Sequence, residues 1–287
     1  MTDMPRRIWL CADDYGIAPG VNAAIRDLTA QGRLNATSAM VVAPSLDAEA
    51  AQALAALNAG AKQIAIGLHL TMTAPFRPLS QGFAPLDEGA FLPIGAMLLR
   101  GLARRLDPVT AAREIDAQLA AFAKLFGRMP DFIDGHQHVH LLPGIREPLL
   151  AAMARQAPHA WVRQCGRAGR GRGYGRFAFA DRKALLLDAL SAGFRKRAEA
   201  AGIRTNTGFG GAYDFVETAD FAMLFPRFLD GLPDGGLIMC HPGMVDAELM
   251  RLDPLTTLRQ REYDYFRGDA FPAALRGRDI ALRPAAA

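Results

Sequence analysis

Apolar runs of strand length alternate with amphipathic stretches of helix length along this chain, the pattern that builds parallel α/β architecture. The runs "RIWLCA" (7–12), "ATSAMVV" (36–42), "QIAIGLHL" (63–70), "DFID" (131–134), "AWVRQC" (160–165), "IRTNTGF" (203–209), "GLIMCH" (236–241) and "DIALR" (279–283) read as strands. Between them, residues 20–32, 45–59, 107–127, 145–157, 180–202 and 217–231 read as helices. In the third of these, Ile115, Leu119, Phe122 and Phe126 recur at three- and four-residue steps, a stripe that can face a sheet. Asp107 before Pro108 predicts an N-cap with proline at the first helical position, and Gly127 predicts the stop. No repeat or low-complexity linker divides the chain, so the expected fold is α/β: a single-domain β/α barrel over residues 1–287, irregular or incomplete and TIM-barrel-like. Residues 76–98, rich in proline and glycine and long for a loop, predict an excursion over a site.

Chemistry-bearing side chains sit where several of these strands end. "IWLCA" runs into Asp13 and Asp14, "IAIGL" into His69, "FID" into His136 and "LIMC" into His241. In a β/α barrel the carboxyl ends of the strands converge on one rim, where active sites are built. A lone histidine at a strand end is more often a hydrogen-bonded structural residue, but four such stretches together point to a site. Two histidines and a carboxylate from different strands form a facial donor set that leaves positions open for water and substrate, as a catalytic metal requires. Alternation along an extended chain would aim Asp13 and Asp14 in different directions, one to a cation and the other to water as a general base.

Half of the six histidines fall in "DGHQHVH" (134–140). If this segment is extended, His136, His138 and His140 share a face, yet His140 lies roughly 13 Å from His136 and cannot share its metal. If it is helical, His136 and His140 become neighbours instead. At most two of the three are expected as ligands, with His138 and His140 as supporting rim residues and Asp134 orienting an imidazole.

Composition narrows the function classes. With 51% hydrophobic and 22% charged residues and no apolar tract of about eighteen or more, no transmembrane segment is expected. The brief "IWLCA" run is too short for a signal peptide, which makes a cytoplasmic location the default. Cys11, Cys165 and Cys240 are odd in number and widely spaced, and are expected as buried free thiols. The formal charge of +4 is concentrated in 163–183, where arginine and glycine alternate with Tyr174 and Phe177. Such a stretch could hold nucleic acid or anionic headgroups, but a solvated loop at about 163–177 is the preferred reading, so no nucleic acid partner is expected.

The segments "ADDYGIAPGVNAAI", "GLHLTMT", "DGHQHVH" and "MCHPG", in this order, resemble the YdjC-like carbohydrate deacetylases, which include the chitooligosaccharide deacetylases. "GRLNATSAMV" (32–41) and "TGFGG" (207–211) resemble further family segments, so that the likeness covers most of the chain. Tyr15, Gln137 and the arginine/glycine segment depart from the pattern. The resemblance implies a metal-dependent hydrolase of linear amides on a β/α-barrel-like fold, removing acetyl groups from N-acetylated sugars through metal-activated water. It implies Asp14, His69 and His136 as ligands of one divalent metal ion, Zn2+ or Mg2+, with Asp13 as base and His241 as acid. Arg163, His138, Asn22 and Phe209 are assigned by it to substrate binding. A related branch acts on acetylglucosaminyl hopanoid lipids, so a glycolipid joins chito-oligosaccharide as an expected substrate, and a homodimer is compatible with the chain. Iron(II) oxygenases and other barrel amidohydrolases share parts of the donor pattern but place it differently along the chain. An RNA-binding module leaves the strand-end carboxylates and imidazoles unexplained.

Overall fold

A computed structural model describes residues 4–167 and 178–285. Ten strands occur among the described residues: β1 (Arg6–Tyr15), β2 (Ala36–Ala39), β3 (Ala65–Leu70), β4 (Leu86–Asp87), β5 (Ala90–Phe91), β6 (Phe132–Gly135), β7 (Trp161–Val162), β8 (Phe209–Gly210), β9 (Leu237–Cys240) and β10 (Ile280–Leu282). The helices are α1 (Pro19–Ala30), α2 (Ala48–Ala56), α3 (Ile94–Leu102), α4 (Pro108–Phe126), α5 (Arg146–Gln156), α6 (Ala178–Ala200), α7 (Phe221–Leu229), α8 (Ala247–Leu252), α9 (Thr257–Arg267) and α10 (Ala270–Arg276). All eight expected strands are present, and so are all six expected helices.

The main sheet is parallel and runs β7-β6-β3-β2-β1-β9-β8, with β10 added beside the start of β1. Read from β1 round to β9, its seven strands follow chain order, as in a β/α barrel. Single bridges, Val162 to Thr205 and Arg167 to Phe209, link β7 to the segment around β8, so the curled sheet is incomplete at that seam. The cause is local. Asn206 Oδ1 accepts from Gln164 N, and its Nδ2 donates to the carbonyls of Gln164 and Gly208, so a side chain takes the place of ladder hydrogen bonds. That competition shortens the strand expected over 203–209 to Phe209–Gly210.

β1 is the hub: from Ile8 to Tyr15 every residue is buried, as expected of a strand covered on both faces. The carboxylate of Asp107 caps α4 by accepting from Val109 N and Thr110 N, and Gly127 ends it at φ 66°, a left-handed geometry that glycine adopts without penalty. Ile115, Leu119 and Phe122 are buried on its inner face. The 76–98 excursion contains the antiparallel β4–β5 hairpin and the start of α3. It is pinned by buried Glu114, whose carboxylate accepts from Leu79 N, Ser80 N and Ser80 Oγ. Among the described residues no helix is long and apolar enough to cross a membrane. Cys11, Cys165 and Cys240 are free and buried, as expected. Residues 168–177 of the arginine/glycine segment lie outside the described residues.

Candidate active site

β1 ends in a bulge. Ala12 pairs with Thr37 but Tyr15 with Ala39, so three steps on β1 oppose two on β2. The extra residue is absorbed at Asp14, which takes φ 68°, a conformation that aspartate tolerates better than most residues. Asp13 and Asp14 do point to different partners, though the cause is this bulge rather than the simple strand alternation expected.

Asp14 Oδ1 lies 3.1 Å from His69 Nε2 and 3.0 Å from His136 Nδ1. These three donor atoms lie within 4.8 Å of one another, close enough to hold one metal ion. Each comes from the end of a different strand: β1, β3 and β6. The register His69 to Asp134 on neighbouring strands places a carboxylate behind the first imidazole, and His69 Nδ1 stands 2.6 Å from Asp134 Oδ1. Ser38 Oγ is 3.0 Å from the same nitrogen. Fixing Nδ1 in this way leaves Nε2 aimed at the cluster. Burial disfavours a charge on His69, but Asp134 and Asp14 overcome it and push its pKa up to about 10. For Asp14 burial works in the other direction, yet Arg259 and then His136 hold its carboxyl well below the usual range. His136 is the half-buried member, with Phe76 of the excursion edge-on to its ring at 5.9 Å.

The "HQHVH" stretch is neither extended nor regularly helical. It forms a 3-10 turn over His136–Leu141, with Gln137 and His138 at φ 52° and 60°. The three rings consequently diverge. His138 is half-buried, its Nδ1 3.4 Å from Cys165 Sγ and its ring edge-on to Phe209. His140 is fully buried rather than at the rim, its Nε2 donating to the Arg163 carbonyl at 2.9 Å. Burial lowers the pKa of both to about 3, so both are neutral. The turn needs Gly135, since a Cβ there would stand 2.7 Å from His140 Nδ1.

Asp13 is held elsewhere. Its two oxygens accept from Arg163 Nη1 at 2.7 Å and Nη2 at 2.6 Å, a bidentate fork. Arg163 Nη2 also donates to Cys11 Sγ at 3.0 Å. It stands 2.5 Å from Asp134 Oδ2 as an ion pair, although the angle there is outside hydrogen-bond geometry. Cys11, Asp13 and Asp134 also lie close enough to hold an ion, but this guanidinium already supplies the cation. Arg163 is 0% exposed and Asn22 is 3% exposed. Asn22 accepts from Gly16 N and donates to the Ser45 carbonyl. Arg163 and Asn22, both expected to bind substrate, are thus enclosed and make internal contacts in the structure. Phe209 is buried as well, packed against His138, so of the four only His138 reaches partly open space.

β9 pairs Cys240 with Ala12, which sets His241 beside the start of the bulge. His241 is half-buried, edge-on to Phe215 at 5.4 Å. Burial lowers its pKa, although Asp14 and Asp13 pull the other way. Its backbone N donates to Glu262 Oε2 at 2.5 Å, and Tyr213 Oη donates to the other oxygen of Glu262. Glu262 and Arg259 both lie on α9, a helix that apolar periodicity did not reveal. Leu258, Glu262 and Phe266 recur there at four-residue steps and are all buried. Counting that spacing without regard to polarity would have found the helix.

Fold and site together define a β/α barrel with a His2Asp donor set, able to hold a metal, at the carboxyl ends of its strands. Residues 7–277 match the YdjC-like protein family, and the chain belongs to it. A chitooligosaccharide deacetylase of Escherichia fergusonii is 29% identical over 268 residues, 92% of this chain and 88% of that one. Another, from Yersinia pestis, is 36% identical over 154 residues, 53% of this chain and 57% of that protein. A crystal structure of a proposed cellobiose-phosphate cleavage protein from Enterococcus faecalis V583 has a TM-score of 0.70 at 22% identity, covering 98% of both chains. That likeness concerns the fold. The family resemblance read from the four motifs is thus borne out.

Proposed function

We propose that this protein is a divalent-cation-dependent hydrolase of linear amides that removes the N-acetyl group from an acetylated amino sugar. The observation that carries this reading is the convergence of Asp14 Oδ1, His69 Nε2 and His136 Nδ1 from three strand ends. The similarity to chitooligosaccharide deacetylases supplies the substrate class. The return of β10 to pair with β1 supports taking residues 1–287 as one catalytic domain.

A divalent cation held by these three donors would polarise the acetyl carbonyl and acidify adjacent water, with zinc to a pKa of about 7. Two imidazoles favour zinc on ligand softness, while carboxylate and water suit magnesium. Asp134 orients His69 through Nδ1, and the Arg163 fork fixes the plane of Asp13. Each oxygen of Asp13 keeps a lone pair outside that fork, and Asp13 would use it to take the proton from the attacking water. His241 enters the cycle neutral, because burial lowers its pKa. It must therefore be loaded with a proton, from its half-exposed side or from Asp13, before it protonates the departing amine. Phe76 stands edge-on to the His136 ring and covers one side of it.

The test is cation analysis of the purified chain, followed by acetate release from N-acetylglucosamine oligomers and from an acetylglucosaminyl lipid. Acetate should appear from at least one of them, stop with chelator and return with zinc or magnesium. A cation-loaded chain that releases no acetate from any N-acetyl sugar would sink the reading.

A further inference from the structure

Arg259 on α9 is 1% exposed, although a buried guanidinium is costly unless its charge is matched. Two carboxylates match it. Its Nη2 donates to Asp14 Oδ2 at 2.5 Å, and its Nε donates to Asp253 Oδ2 at 3.0 Å, a carboxylate that Nη2 also reaches. The backbone of the same residue is tied to the turn after β9, where Gly243 N donates to the Arg259 carbonyl at 3.0 Å. A side chain at 243 would crowd it, since a Cβ there would lie 3.4 Å from Arg259 Cβ. The guanidinium is thus held from both sides and from its own backbone.

Asp14 consequently presents two unlike oxygens. Oδ2 is occupied by Arg259, whereas Oδ1 faces two imidazoles. A carboxylate can give a cation one oxygen or two, and a catalytic site works only if positions remain for water and substrate. We propose that Arg259 is a positioning residue that makes Asp14 a one-oxygen donor, keeping a coordination position open at the His2Asp centre. This rests on reading Asp14, His69 and His136 as cation ligands. With Oδ2 shared by a guanidinium, Asp14 also donates less charge, so a bound cation stays more electrophilic. Lysine could hold Oδ2 through its ammonium but lacks the planar guanidinium that sets Nη2 on Asp14 while Nε holds Asp253.

The test uses the full chain loaded with cobalt(II), whose visible absorption weakens as its coordination number rises. Arg259→Gln should still bind cobalt, with a visible band weaker than that of the parent. Its kcat should fall about 10- to 100-fold, as expected when a group orienting a metal ligand is lost, with KM little changed. Arg259→Lys should recover part of both the band and kcat. An unchanged cobalt spectrum in Arg259→Gln, with losses in activity that track its melting temperature, would overturn the proposal and leave Arg259 as a brace of the fold. If neither Arg259 variant folds, Asp253→Asn, which frees the far side of the guanidinium, should weaken the band to a smaller degree. An unchanged band there would overturn the proposal too. Failure of the underlying cation reading looks different: the parent takes up no cobalt, or His136→Ala binds it as the parent does.

Discussion

Asp13 and Asp14 are neighbours in the chain, both buried and both paired with a buried arginine, yet they belong to clusters of opposite kinds. Around Asp13, the Arg163 guanidinium stands among Cys11, Asp13 and Asp134 and takes both oxygens of Asp13. That cluster carries its own cation. Around Asp14, the arginine sits behind the carboxylate and takes one oxygen, leaving the other to His69 and His136 on the more open side. Two sets of potential ligands of similar compactness therefore differ in what fills them. Proximity of acidic and imidazole groups does not define a metal site; what separates these two is that Arg163 takes both oxygens of Asp13, whereas Arg259 takes one oxygen of Asp14 and leaves the other to the imidazoles.

The sharpest way to break this contrast is His136→Ala. It should abolish cation uptake and cut acetate release to below about one-thousandth of the parent, a barrier change of roughly 4 kcal/mol. Full activity in that variant would remove the distinction between the clusters. Arg163→Met should instead strike stability, because it strands Asp13 and Asp134 without a counter-charge. Breaking a buried pair by removing one partner costs about 3–5 kcal/mol, readable as a shift in the denaturant midpoint. A midpoint like that of the parent would mean that Arg163 is not the internal cation.

Glu262 supplies a third case, a buried carboxylate without a direct arginine bridge among the described residues. Burial, only partly offset by the donors His241 N and Tyr213, pushes its pKa up to about 7 from the ordinary 4.5. Between these values the folded chain binds this proton more tightly than the unfolded chain, so stability falls as pH rises from 4.5 through 7. Glu262→Gln should lack that fall. Its stability relative to the parent should increase across the window by on the order of 3 kcal/mol, seen in denaturation at several pH values. A difference that stays flat with pH would show that Glu262 is not raised. The smallest effect is expected from Cys11→Ala, which removes one sulfur contact to Arg163 and should cost on the order of 1 kcal/mol while leaving cation content unchanged. A drop in bound cation would make the Asp13 cluster a second metal site.

The eight strands were legible because strand-length apolar runs are local signals, and so was the arrival of Asp14, His69 and His136 at strand ends. α9 was not legible, because its inward face carries Arg259 and Glu262 among Leu258, Tyr263 and Phe266. Periodicity reading takes charged residues as solvent-facing, so a helix that buries them loses its pattern. The family resemblance assigned Arg163 to substrate, and the chain gave no local sign of its enclosure, which depends on carboxylates distant in the sequence. The divergence of the three histidines escaped notice as well, since it depends on two non-glycine residues held at positive φ by the surrounding packing.

By itself, then, the sequence determined the β/α order, the family and the stations of the donor residues, all of which rest on short-range pattern. Tertiary structure decided which carboxylate keeps one oxygen for the imidazole cluster. The guanidinium that forks onto Asp13 comes from 150 residues away and the one behind Asp14 from 245. Charge pairing in a buried site is fixed only when the barrel brings such groups together, because only there does low polarity make each unpaired charge costly.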